Sequence, residues 1–186
     1  MSPVSVRPAE PADLGAVAAI YAHSVRTSTA TFDDQEPPLS YWQAKLDSTS
    51  PGDHFLVACS GVAPSLVTPG LVAGDDDRVD GVDRVLGYAC SGSYRARPAY
   101  RLTRESSVYV SPEATGRGLG SQLYAELLRL LGQDEMHLVV AVVSQPNPAS
   151  NALHRRMGFT EVGTLDEVGF KFGAFVSTTT FQLRLG

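Results

Sequence analysis

The sequence predicts an α/β fold in one domain, and three observations carry that prediction. Extended apolar segments and amphipathic helical segments alternate along 186 residues in the order β-α-α-β-β-β-α-β-α-β-β. The run at 137–143 is apolar almost throughout, as befits a central strand covered on both faces. Residues 105–110, rich in β-branched and aromatic side chains, lead through a glycine loop, 116–120, into a helical run with Leu119, Leu123, Leu127 and Leu130 on one face.

Residues 4–7 read as a short strand and 8–13 as punctuation. Leu14, Val17, Tyr21 and Val25 recur at helical spacing, which predicts a helix over 13–25. Residues 27–32 break it. Ser40 and Gln43 fit a capping box opening a second short helix to about Leu46. The segment between these helices holds Pro37 and Pro38 and cannot be regular. Phe32 within it is either a substrate contact on a loop beside a cleft or a core residue. Strands follow at 54–59 and 85–90. The intervening 60–84, with Pro64, Pro69 and the run Asp75, Asp76, Asp77, is too long for a tight hairpin and is expected to be a flexible, dispensable insertion. Its acidic run reads as solvated loop in preference to a cation site.

Tyr94, Arg95, Arg97 and Tyr100 crowd the loop at 91–100. Forked guanidinium donors beside aromatic walls suit carboxylate recognition; a solvated surface loop is the alternative. In an extended segment Arg95 and Arg97 would point the same way. The helix after the glycine loop is expected to reach about Leu131 and stop at Gly132. Asn147 suits a helix cap, Pro148 the first helical position, and Gly158 a stop. Strands near 162–169 and 175–185 close the chain, the latter with Phe175, Phe181, Leu183 and Leu185 on one parity.

A formal net charge of −5 gives no basic surface for nucleic acid. There is no apolar run of membrane-spanning length, and residues 1–7 carry no signal-peptide core, so a soluble, cytoplasmic protein without a membrane partner is expected. Cys59 and Cys90 lack metal or redox spacing and fall in predicted strands, which reads as buried thiols, with no metal cofactor. A strand, glycine loop and helix N-terminus can cradle an anion with backbone N–H groups, or can be a turn that merely needs positive φ. A P-loop is excluded because no lysine lies near. The dinucleotide fingerprint is excluded because Ser121 and Leu123 stand where its third glycine would.

Four blocks then appear in a definite order: Tyr94 to Arg97 with Tyr100; Glu105 to Pro112; Asn147, Ser150, Leu153 and His154 with Gly158 and Phe159; and Gly169, Lys171 and Gly173. With the glycine loop, they make the chain resemble the GNAT N-acetyltransferase superfamily over nearly its whole length. Within it the chain is similar to the phosphinothricin and methionine sulfone acetyltransferase subfamily. The acyl-CoA signature falls on residues 115–120, with Thr115 where the family has Gln or Arg, Gly116 where the subfamily often has Arg, and Phe175 in place of a family tryptophan. Residues 60–84 are longer than the family's hairpin.

The resemblance implies a mixed central sheet, flanked by helices and splayed after its fourth strand, beyond Val110. Acetyl-CoA would lie there, its pantetheine along Val108, Tyr109 and Val110 and its pyrophosphate on the N–H groups of Gly116, Arg117, Gly118, Leu119, Gly120 and Ser121. Arg117 would compensate for Thr115, and Asn147 would bind the pantetheine arm. The acceptor, a small amino acid or analogue, would meet Phe32, Arg95, Arg97 and Tyr100. Glu105 would take the amine's proton and His154 would serve in proton transfer. Without the motif, Glu105 reads as a surface strand residue and His154 as a helix-face histidine bonded to a carbonyl. A homodimer is implied in the same way. Two other classes remain open: a GNAT enzyme for another amine or a protein N-terminus, and a non-catalytic acyl-CoA-binding module.

Overall fold

The computed structural model describes residues 4–61, 78–79 and 82–186. Along them run β1 (Val4–Pro8), α1 (Leu14–Thr27), α2 (Leu39–Leu46), β2 (Phe55–Ser60), β3 (Arg78–Val79) and β4 (Val82–Ser93). Then come β5 (Thr103–Val110), α3 (Leu119–Gln133), β6 (Leu138–Gln145), α4 (Pro148–Arg156), β7 (Thr160–Lys171) and β8 (Ala174–Arg184). The sheet order is β1-β2-β4-β5-β6-β8-β7, with β3 paired to β4. The neighbours along that order pair antiparallel except β5 with β6. Two parallel neighbours need a crossover, and α3 supplies it.

Strand alternation divides the core. In β2, Leu56 and Ala58 face α3, while Phe55, Val57 and Cys59 face α1 and α2. The α3 face gathers Leu123, Leu127 and Leu131 against Val139, Ala141 and Phe181. The opposite face gathers Val17 and Ile20 of α1 and Trp42 of α2 against Val57 and Tyr88. Leu127 is fully buried. Truncating it to Ala would cost about 2–5 kcal/mol, by lost transfer free energy plus the cavity left behind.

Several boundaries differ from the sequence expectation, each for a local reason. The capping box at Ser40 does not form: α2 begins at Leu39 on Pro38, which has extended backbone, so Ser40 is already inside the first turn. Gly132 does not stop α3, which continues to Gln133; the left-handed residue beyond it is Glu135, at φ 57°. Leu131, not Leu130, lies in the buried stripe, because i+4 steps from Leu123 and Leu127 lead to it. β6 is not covered on both faces throughout, since Val142 is 47 % exposed. The closing strands are longer than expected and make one hairpin, β7 against β8. Of the expected insertion, residues 62–77 and 80–81, including the acidic run, lie outside the described residues. Cys59 and Cys90 are both buried in strands. Among the described residues no helix is long and apolar enough to cross a membrane.

Candidate active site

β5 is paired with β4 from Arg104, opposite Ser93, to Val110, opposite Gly87. Its parallel pairing with β6 covers three residues, Thr103, Arg104 and Glu105 opposite Leu138, Val139 and Val140. Beyond Val140, β6 keeps only its pairing with β8, which runs from Leu138 to Gln145. The sheet therefore opens inside β5, directly after Glu105, five residues earlier than an opening beyond Val110. From Ser106 onward one edge of β5 has no ladder neighbour, and its backbone groups are available to a ligand.

A cleft of about 580 Å³ fills this opening. One end of it is the glycine loop. Gly116 and Gly118 hold φ of 75° and 78°, the left-handed region that glycine adopts without strain. Gly118 caps α3, and its carbonyl accepts from the N–H groups of Ser121 and Gln122. The N–H groups ahead of Ser121 have no intrahelical partner by geometry and lie at the cleft with the positive end of the helix dipole. Gly120 serves packing instead: a Cβ there would lie 3.3 Å from Leu153 of α4. Asn147 caps α4 through Oδ1, accepting from the Ser150 N–H at 3.1 Å, so its Nδ2–H groups are what it can offer a ligand.

Tyr124 and His154 line the cleft as members of a buried network. The Tyr124 hydroxyl lies 2.8 Å from Ser106 Oγ and 3.0 Å from His154 Nε2. His154 Nδ1 lies 2.8 Å from the Ser150 carbonyl, which can only accept, so Nδ1 carries the proton. Burial holds the His154 pKa below 6.5, partly opposed by the Ser150 bond. In the neutral ring Nε2 then accepts, and Tyr124 donates to it. His154 thus has the carbonyl bond of a helix-face histidine, and it also lines the cleft.

Glu105 stands at the root of the opening, on the strand face it shares with Ser107 and Tyr109. That face points toward α1 and α2, as the Tyr109 contacts with Tyr21 and Tyr88 show. Its side chain is exposed at the edge, yet neighbouring atoms displace enough water to raise the carboxyl pKa above 4.5, with Lys45 and Arg95 pulling the other way. Arg95 lies over the rings of Tyr94 and Tyr100, at 5.0 and 6.0 Å. The chain bends at Tyr94, Ala96 and Arg97 before a short turn, Pro98–Tyr100. The segment is therefore not extended, and strand alternation does not align Arg95 with Arg97. Phe32 is 44 % exposed and is not a core residue; its ring packs on Gly169.

Of the expected cofactor residues, Val108, Tyr109, Val110, Gly116, Gly118, Leu119, Gly120, Ser121 and Asn147 line the cleft, as does His154; Arg117 does not. Neither Glu105 nor Phe32, Arg95, Arg97 or Tyr100 is among its walls. Among the lining residues that escaped the sequence reading, three carry groups that bear on a ligand. Arg156 reaches from α4 to donate to Ser121 Oγ at 2.7 Å, bringing a cation beside the glycine loop. Tyr124 reads as one more apolar position of α3. Ser144 is 6 % exposed and, among the described residues, its Oγ has no hydrogen-bond partner.

The profile of the Acetyltransferase (GNAT) family matches residues 18–159. A phosphinothricin N-acetyltransferase of Streptomyces coelicolor is 39 % identical over 98 % of this chain and 96 % of its own. An L-methionine sulfoximine/L-methionine sulfone acetyltransferase of Pseudomonas paraeruginosa is 35 % identical over 97 % and 94 %. Among solved structures, a GNAT superfamily phosphinothricin acetyltransferase from Sinorhizobium meliloti in complex with AcCoA superimposes with a TM-score of 0.83 at 32 % identity, covering all of this chain and 90 % of the other. A parallel strand pair that separates after three residues, opening onto a glycine-capped helix, is thus found here in a chain that belongs to the GNAT family of N-acetyltransferases.

Proposed function

We propose that the protein transfers the acetyl group of acetyl-CoA to the α-amine of a small amino acid or analogue of the methionine sulfone, methionine sulfoximine or phosphinothricin kind. The observation that carries this reading is the break in the β5–β6 ladder directly after Glu105, which leaves a carboxyl of raised pKa where the sheet begins to open. The names of the full-length relatives support the acceptor class.

Acetyl-CoA supplies the activated acetyl group as a thioester. The residues fit its anionic part: the N–H groups of the glycine loop and the Arg156 guanidinium gather at one end of the cleft. The edge of β5 from Val108 to Val110 offers backbone groups to the pantetheine amides and an N–H to the carbonyl oxygen as charge builds on it. Asn147 adds amide donors. Glu105 takes the proton of the acceptor ammonium, directly or through a water, because only the neutral amine can attack. His154 acts behind Tyr124, fixing the phenol's orientation near the site where the thiolate departs. Arg95, already seated on Tyr94 and Tyr100, and Arg97 hold the acceptor's carboxylate from the β4–β5 loop. Phe32 and Tyr100 form its apolar wall.

A homodimer belongs to the same reading. Val162, Leu165, Val168, Phe170, Phe172 and Phe175 are each more than half exposed on the β7–β8 hairpin, at the edge of the sheet. An apolar face of that size on an edge strand suits a second copy of the chain. Mass by light scattering, with Phe170→Ser and Phe175→Ser as controls, checks it: a dimer that the substitutions split is expected.

The functional test is acetyl-CoA turnover with methionine sulfone, phosphinothricin, their carboxamides, a polyamine and a peptide N-terminus. Acids are expected to exceed their amides by about ten- to a hundredfold in kcat/KM, the worth of one charge-assisted hydrogen bond. Equal activity on acids and amides would move the acceptor to a peptide or simple amine.

A further inference from the structure

The Gly169–Gly173 block has no role in the chemistry described so far. In the structure it meets the loop that carries Phe32. Lys171 is buried at 7 % exposure, and its Nζ donates to the Thr31 carbonyl at 2.8 Å. Two residues earlier on the strand, Gly169 lies against the Phe32 ring so closely that a Cβ would sit 2.3 Å from Cε2. The rest of the loop is tied to the cleft. The Tyr109 hydroxyl donates to the Ala30 carbonyl at 3.2 Å, and the Tyr21 hydroxyl bridges Thr31 Oγ1 and Asp33 at 2.5 and 2.7 Å. Phe32 is the one large side chain in this stretch and is otherwise exposed.

We propose that Gly169 and Lys171 are positioning residues that set acceptor specificity: together they fix where the Phe32 ring stands relative to β5. This rests on the reading that Phe32 walls the acceptor site. A buried ammonium is costly unless its donors are used, and here its bond goes to the backbone of the residue next to Phe32. The sources of charge around that ammonium are Asp33 and Asp34 on the loop, and the Phe172 ring lies 5.0 Å away. A lysine in this place holds the loop by geometry: its long stem crosses from the edge hairpin to a carbonyl that no strand neighbour reaches. Gly169 then limits the ring from beneath. The glycine's φ is not left-handed, so alanine fits the backbone there, and only the ring must yield. A ring at the end of an exposed side chain can retreat by the required distance of about 1 Å without unfolding anything.

The experiment is a double-mutant comparison of kcat/KM for amino-acid acceptors of graded side-chain length, from alanine to methionine sulfone. Gly169→Ala is expected to change the ratio between the longest and shortest acceptors by about tenfold, with acetyl-CoA KM unchanged. In a Phe32→Ala background, which removes the ring, Gly169→Ala is expected to do nothing further. Lys171→Met, which keeps the stem and loses the donor, is expected to raise acceptor KM about fivefold or more with little change in kcat; should Gly169→Ala fail to fold, the same comparison is made with this variant. A wild-type acceptor profile in Gly169→Ala, or an effect of equal size with and without Phe32, overturns the inference while leaving amino-acid acetylation intact. A wild type that acetylates no amino acid in the series overturns the acceptor reading first, and this inference with it.

Discussion

The two sides of the cleft are built differently. The side proposed for the cofactor comes mainly from two short contiguous stretches, 106–124 and 147–156, and its recognition groups are backbone N–H groups, a capping amide and one arginine. The side proposed for the acceptor is assembled from the loop between α1 and α2, the β4–β5 loop, Glu105 and the β7–β8 hairpin, and most of its groups are exposed side chains. A ligand common to a whole family can be held by backbone geometry, which tolerates sequence change. Acceptor choice needs side chains that can change without disturbing the sheet.

The sharpest way to break this division is at Glu105, the residue where both sides meet. Glu105→Gln keeps the shape and loses the base, so the rate is expected to fall by roughly 10²-fold or more. Because burial raises the carboxyl pKa, wild-type kcat/KM should fall as pH drops through a value above 4.5, where the base becomes protonated. The mutant should lose that acid limb. Wild-type turnover with an unchanged pH profile in Glu105→Gln would assign the base elsewhere.

A smaller effect separates the sides. Gly118→Val places a branched side chain on a residue at φ 78°, beside the helix N-terminus. The strain and the added bulk at the phosphate position should raise acetyl-CoA KM about tenfold and leave acceptor KM nearly unchanged. Isothermal titration of acetyl-CoA into the folded mutant checks it; unaltered affinity would remove the loop from the cofactor site.

The same division explains what could be read in advance. The glycine loop, the Asn147 cap and the strand before the loop announce themselves by residue type at short range, since each is a local backbone requirement. The element order followed from periodicity, whereas the mixed sheet, with its parallel β5–β6 pair, followed from the family resemblance and not from spacing. Arg156 and Tyr124 were not legible, because each joins the site through a contact about 30 residues away in sequence, with Ser121 and His154. The Arg95–Arg97 geometry was misread because Pro98 leads into a turn that bends the chain before it. The capping box at Ser40 failed for a similar reason: Pro38 takes the N-cap position, two residues before Ser40.

A third test concerns His154 and stability rather than rate. Its folded pKa lies below 6.5, so the unfolded chain binds the proton more readily. The stability linked to the neutral ring is fully present above pH 6.5 and is lost as pH falls below it toward the folded value. The melting temperature of the wild type should therefore drop between pH 7 and pH 5.5 by more than that of His154→Gln. Parallel curves would mean that the ring is protonated inside the fold, and that Tyr124 does not donate to it.

The smallest expected effect is at Ser144, and it bears on where the ligand lies. Its hydroxyl is buried in the wall of the cleft without a partner among the described residues. An unsatisfied buried hydroxyl destabilises the free protein by about 1 kcal/mol or somewhat more. Ser144→Ala should therefore leave the melting temperature unchanged or raise it by a few degrees. If the hydroxyl is satisfied by a bound ligand, the same substitution should weaken that ligand's binding by about five- to tenfold, since a neutral hydrogen bond is worth about 1 kcal/mol. The side chain shares a strand face with Val142, opposite to that of Ala141 and Val143, which belong to the core beneath α3. It therefore lies toward the acceptor side. The loss is expected in acceptor KM, with acetyl-CoA KM unchanged. A loss in acetyl-CoA KM instead would show that the thioester arm reaches through the sheet to this face, and would redraw the boundary between the two sides.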